Sequence, residues 1–121
     1  MAGKSILICD DEPDMADFLM AALEAEGYKV ETAASADAIV AKLKDFPAEL
    51  VLLDMGMPGL SPDTPAKDIR TRTQTKAKIL IMTGRDLAHE KKGKGLDGAD
   101  GALQKGTGMD AIVTKVKEFL P

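Results

Sequence analysis

Three apolar runs and one weaker strand pattern in this chain each lead into residues able to do chemistry. Ile6-Leu7-Ile8-Cys9 runs into Asp10-Asp11, Leu50-Val51-Leu52-Leu53 into Asp54, Ile79-Leu80-Ile81-Met82 into Thr83, and Asp100 to Gln104 into Lys105. Three carboxylates brought to one spot repel, and each raises its neighbours' pKa unless a cation is present. A hard divalent ion answers that need. Mg²⁺ takes oxygen ligands, keeps several waters and is usually held by one or two carboxylates plus phosphate oxygens. Lys105 adds a point charge for a phosphoryl oxygen, and Thr83 a hydroxyl donor. An aspartate beside such an ion can attack phosphorus and form an aspartyl phosphate. Phosphoryl transfer needs positioning and charge neutralisation more than covalent machinery, and this set offers both.

The elements that must position these residues follow from the hydrophobic period. Each continuous apolar run reads as a strand buried on both faces. Between the runs the period turns helical. Met15, Phe18, Leu19, Ala22 and Leu23 form one stripe, with Pro13 in the first turn and Gly27 as a stop. Tyr28 to Ala33 reads as a second strand. Ser35 begins a helix with Ile39, Leu43 and Phe46 on its apolar face, closed by Pro47. Pro62 and Pro65 make any helix within 61–75 late and short. Residues 85–98 read as a frayed helix, because Gly93, Gly95 and Gly98 each cost on the order of 1 kcal/mol against alanine. The last helix carries Met109, Ile112, Val113, Val116, Phe119 and Leu120, and Thr107 with Asp110 makes a capping box for it.

Five strands alternating with helices predict an α/β domain, a parallel sheet covered on both faces and wound with right-handed crossovers. Ligands of such doubly wound sheets sit beyond the carboxyl ends of the strands. That is where Asp10, Asp11, Asp54, Thr83 and Lys105 fall. With strand order 2-1-3-4-5, strands one and three are neighbours and their acids meet.

Composition narrows the classes further. The chain has 121 residues, 45% hydrophobic and 30% charged, which suits one soluble globular domain over 1–121 and leaves no room for an output domain. Sixteen basic against twenty acidic residues give a net charge of −4, which speaks against a nucleic-acid footprint. Cys9 is the one cysteine, so no internal disulfide forms. No stretch approaches the roughly 18 apolar residues of a membrane span, and the N-terminal residues lead into a strand pattern, not a signal peptide. A cytoplasmic protein without a membrane partner is expected.

These residues carry a resemblance. Ile8-Cys9-Asp10-Asp11-Glu12-Pro13, Leu52 to Gly59 (LLDMGMPG), Ile81-Met82-Thr83-Gly84, Gly98-Ala99-Asp100 and Lys105 together resemble a response-regulator receiver domain of bacterial two-component signalling, of the small stand-alone chemotaxis-regulator type. The resemblance covers essentially the whole chain. It implies a flavodoxin-like fold with strand order 2-1-3-4-5, and transfer of a phosphoryl group from a histidine kinase or histidine phosphotransfer protein. It implies Asp54 as phosphoacceptor, Asp10 and Asp11 as Mg²⁺ ligands helped by Asp54 and the backbone carbonyl of Gly56, and Thr83 and Lys105 as phosphoryl-binding groups. The only catalysis implied is of the domain's own phosphorylation and dephosphorylation, with output by contact with another protein.

Three positions depart from the family pattern. Ala102 stands where an aromatic residue usually moves inward, so an aromatic rotamer switch cannot operate there. Lys105-Gly106 replaces a Lys-Pro pair, which predicts a looser loop from the lysine into the last helix. Gly56 cannot screen water from the acyl phosphate, whereas Arg85 can. With the aromatic missing, the glycine-rich segment 85–98 is the expected moving part. Two other functions compete: a degenerate receiver acting as a phosphorylation-independent interaction module, and an aspartate-based phosphohydrolase. The second lacks its family's second aspartate, because Gly56 occupies that position.

Overall fold

The computed structural model describes residues 4–84, 96–106 and 108–121. Five strands, β1 (Ser5–Cys9), β2 (Lys29–Ala33), β3 (Leu50–Asp54), β4 (Lys78–Thr83) and β5 (Gly101–Gln104), form one parallel sheet in the order β2-β1-β3-β4-β5. The helices are α1 (Pro13–Ala25), α2 (Ala36–Asp45), α3 (Pro65–Thr73) and α4 (Met109–Phe119). This is the flavodoxin-like doubly wound arrangement expected from the sequence, in a single domain.

The apolar runs become central strands because alternate residues feed two separate cores. Ile6, Ile8, Leu50, Leu52 and Leu80 pack on one side with Leu19, Leu23, Ile112 and Val116 of α1 and α4. Leu7, Val51, Leu53, Ile79 and Ile81 pack on the other with Ile39 and Ile69 of α2 and α3. Cys9 belongs to this second core, and burial pushes its thiol far above the usual range, the charge of Asp10 adding to the effect. It behaves as a small hydrophobe. β2 and β5 lie at the sheet edges and are only partly buried, which is why their sequences lack a continuous apolar run.

Several sequence expectations need adjusting. Phe18 is 69% exposed, because the buried face of α1 runs through Ala16, Leu19 and Leu23 and Phe18 lies off that stripe. β2 begins at Lys29 and β5 at Gly101, one residue later than read from the pattern. The N-cap of α4 is Gly108; Thr107, and with it the proposed capping box, lies outside the described residues. So do Arg85, Gly93, Gly95 and most of the predicted 85–98 helix, while Leu96–Gly98 form a turn. Helix α3 starts at Pro65, late and short as the prolines require.

That turn packs closely against α3. Gly98 has φ +85°, and a Cβ there would sit 2.9 Å from the backbone nitrogen and Cα of Lys67. Both the left-handed conformation and the backbone contact penalise any side chain. Gly98→Ala is expected to lose about 2 kcal/mol of stability. An unchanged urea midpoint would contradict this packing.

Candidate functional site

Each strand end delivers one chemical group to the same edge of the sheet. Asp10 follows β1, and its amide donates to the Ala33 carbonyl at 3.1 Å, tying the ends of β1 and β2 together. Its side chain turns back on the chain, with Oδ1 accepting from the Glu12 amide at 2.9 Å. Asp54 is the last residue of β3, in register with Met82, and the next amide, Met55, donates to the Met82 carbonyl at 3.1 Å. Thr83 ends β4 opposite Gln104 and is 1% exposed. Lys105 follows β5, and its amide donates to the Thr83 carbonyl at 2.6 Å.

The side chains converge. Lys105 Nζ lies 2.6 Å from Asp54 Oδ1 and 3.4 Å from Asp10 Oδ2. Carboxylate oxygens of Asp10, Asp11 and Asp54 all lie within 4.8 Å of one another. Asp10 and Asp54 are buried and Asp11 is exposed, so the cluster opens to solvent on one side. Glu12 does not join it; its backbone amide serves instead to orient Asp10.

The electrostatics follow from that crowding. Burial pushes the Asp54 carboxyl above its ordinary range, and the charges of Asp10 and Asp11 push the same way, while Lys105 offsets part of the shift. For Lys105, burial alone would lower the ammonium pKa. Its hydrogen bond and charge attraction to Asp54, with Asp10 adding, outweigh burial and hold it above the usual value. One lysine cannot neutralise three carboxylates. The remaining charge is made entirely of hard oxygen donors, which suits Mg²⁺ better than a soft transition metal.

The departure at Lys105-Gly106 does not displace the lysine. There is no cis peptide among the described residues, and Gly106 adopts φ +88°. The lysine still reaches Asp54. Gly56 lies in the exposed turn after Asp54 with φ +84°, a conformation that favours glycine. Ala102 is partly buried and packs on the core between the sheet and α2 and α3, leaving a methyl where the family pattern usually places an aromatic ring.

Sequence reading missed one polar cluster, at the opposite end of β5. Arg70 of α3 pairs with Asp100 at 2.8 Å and donates to three backbone carbonyls around the starts of β4 and β5. The turn signal Gly98-Ala99-Asp100 marks one partner. Nothing local to Arg70 marks the other.

Known proteins place this arrangement in a family. Residues 6–117 match the model of the response regulator receiver domain. The chain is 30% identical over 117 residues to the sensory transduction protein RegX3 of Mycobacterium bovis, covering 96% of this chain and 50% of that protein. It is 31% identical over 121 residues to the phosphate regulon transcriptional regulatory protein PhoB of Pseudomonas aeruginosa, covering 99% of this chain and 53% of that protein. It therefore spans about half the length of the curated relatives it matches. Among solved structures, response regulator TrrA of Thermotoga maritima in complex with Mg(2+)-BeF superposes with a TM-score of 0.81 at 33% identity, covering 96% of this chain and 98% of that one. A CheY-like receiver domain protein of Methanospirillum hungatei superposes with a TM-score of 0.83 at 29% identity, covering 98% and 94%. A sheet that gathers three aspartates, a threonine and a lysine at its carboxyl edge, matched along nearly all of its length, belongs to the response regulator receiver domain family of two-component signalling.

Proposed function

We propose that Asp54 accepts a phosphoryl group from a phosphohistidine of a histidine kinase or histidine phosphotransfer protein, in a Mg²⁺-dependent step. The observation that carries this reading is Lys105 Nζ at 2.6 Å from Asp54 Oδ1, inside a cluster of three carboxylates. Asp10, Asp11, Asp54 and the Gly56 carbonyl would hold the ion. When bound, Mg²⁺ supplies charge neutralisation at the acceptor and the incoming phosphoryl oxygens.

The chain's own residues perform the rest. An Asp54 carboxylate oxygen forms the new bond to phosphorus as the phosphorus–nitrogen bond breaks, and the histidine ring leaves with that electron pair. Lys105, already anchored on Asp54, pairs with a phosphoryl oxygen. Thr83, at the neighbouring strand end, donates its hydroxyl to another. The 121 residues hold a receiver only, so the phosphorylated state is read as an altered surface by a further protein or domain. The net charge of −4 favours a protein over a nucleic acid as that reader. A degenerate receiver would not need to retain the lysine, the threonine and all three acids together.

Incubation with acetyl phosphate or phosphoramidate and Mg²⁺ is expected to add the mass of one phosphoryl group, and chelation of the metal to prevent it. Absence of the adduct with every donor would remove this reading. A tight partner complex indifferent to Asp54→Asn would favour the phosphorylation-independent module instead.

A further inference from the structure

β5 has an unusual difficulty. It is a four-residue edge strand that pairs with β4 alone, yet it must deliver Lys105 to a buried carboxylate. A one-residue slip of a strand shifts it by about 3.3 Å and turns every side chain to the opposite face. Side-chain packing usually specifies register, but here it has little to grip. Gly101 has no side chain, and a Cβ there would meet the Phe119 ring at 2.6 Å. Ala102 offers one methyl. Only Leu103 is buried.

A polar clamp stands at the start of the strand. The Asp100 amide donates to the Ile79 carbonyl at 2.8 Å, and the Ile79 amide donates back to Asp100 Oδ2 at 2.8 Å. The same carboxylate oxygen accepts from the Arg70 guanidinium at 2.8 Å. Arg70 Nε donates to the Gly98 carbonyl at 2.6 Å, and its Nη1 donates to the carbonyls of Thr75 and Ala77 at 3.1 and 3.0 Å. One guanidinium thus joins the chain just before β4 to the chain just before β5. The Arg70 and Asp100 side chains are 29% and 42% exposed, so their charge attraction is screened. What matters is the planar fork, which fits this set of acceptors in one alignment of the two strands and which a lysine cannot reproduce.

We propose that Arg70 and Asp100 are positioning residues that fix the register of β5 on β4 and thereby the reach of Lys105 to Asp54. The proposal rests on the phosphoacceptor reading for its kinetic consequence, though not for its structural one. It places the clamp on the lysine arm of the site and not on the acids, which are carried by β1 and β3 and the turn after β1.

The test is a set of Arg70→Met, Arg70→Lys and Asp100→Asn variants, alone and combined with Lys105→Met. Apparent Mg²⁺ affinity is read by titration, and phosphorylation by acetyl phosphate at saturating Mg²⁺. The single variants are expected to be phosphorylated about tenfold more slowly, the scale of a small misplacement of a reacting group, with no loss of Mg²⁺ affinity, because a displaced Lys105 takes a competing positive charge away from the acids. In the Lys105→Met background the same changes are expected to have no further effect on rate. An unchanged rate, or the same loss in both backgrounds, would overturn the proposal. Arg70→Lys keeps the charge and guards against a variant that fails to fold. If the wild type itself takes no phosphoryl group, the function fails, and the clamp is judged by NMR of the Lys105 ammonium. Loss of its carboxylate-paired signal in Arg70→Met supports the clamp, and retention overturns it.

Discussion

Lys105→Met is expected to slow phosphorylation by acetyl phosphate by about 10²-fold or more, the range lost when one preorganised charge partner is removed from a reacting oxyanion. The same change acts on stability. It leaves Asp10 and Asp54, both buried, beside Asp11 with no cation between them. Removing one partner of a fully buried pair costs more than this site will, because the Lys105 side chain is 18% exposed; a loss of about 2 kcal/mol in metal-free buffer is expected. The loss depends on pH in a definite direction. Lys105 has a folded pKa above its unfolded one, so its contribution is present in full below the usual lysine value and disappears as pH rises through the folded value. In the variant, the deficit shrinks again in acid, where Asp54, its pKa raised by burial, takes up a proton. Urea unfolding from acid to alkaline pH, with and without Mg²⁺, follows both effects. A variant as stable as wild type at neutral pH would deny the lysine its place between the acids.

Asp54→Asn is expected to move function and stability in opposite directions. The amide cannot attack phosphorus, so no aspartyl phosphate forms at this position. Stability in metal-free buffer rises. Burial lifts the folded pKa of Asp54 above its unfolded value, so between those values the folded chain holds the proton more tightly and stability falls as pH rises. Above that window the whole penalty is present, and the neutral amide escapes it. A gain on the order of 1 kcal/mol near neutrality is expected, fading as pH falls through the ordinary carboxylate range. A variant less stable than wild type at pH 7 would mean that attraction to Lys105 outweighs burial and the two neighbouring acids.

Much of this site was legible in the sequence because period-2 burial and strand ends are local signals. A run such as Leu50 to Leu53 feeds two cores only if both faces of the sheet are covered, and its next residue must then stand at the sheet's edge. Asp54, Asp10 and Lys105 therefore fall together on the sequence pattern alone. Phe18 was misread because a helical stripe in a sequence is wider than the face a helix actually buries. The strand ends of β2 and β5 were blurred for a related reason: edge strands are only partly buried and lose the continuous apolar run. The Arg70–Asp100 clamp was invisible because its partners are 30 residues apart and its other acceptors are backbone carbonyls, which leave no mark in the sequence. The looser loop at Lys105-Gly106 was read from its missing proline. Lys105 instead reaches that carboxylate from the end of β5, and the chain turns after it at a left-handed glycine.

Receipt of the phosphoryl group by Asp54 itself can be read directly from the chain. Borohydride reduces an acyl phosphate of aspartate to homoserine, so treatment after phosphorylation marks the acceptor in the chain itself. Peptide mass mapping is expected to find homoserine at position 54 in the wild type treated with acetyl phosphate and Mg²⁺, and at no position in Asp54→Asn. Homoserine at another aspartate, or none anywhere despite a phosphoryl mass adduct, would rule out Asp54 as the acceptor.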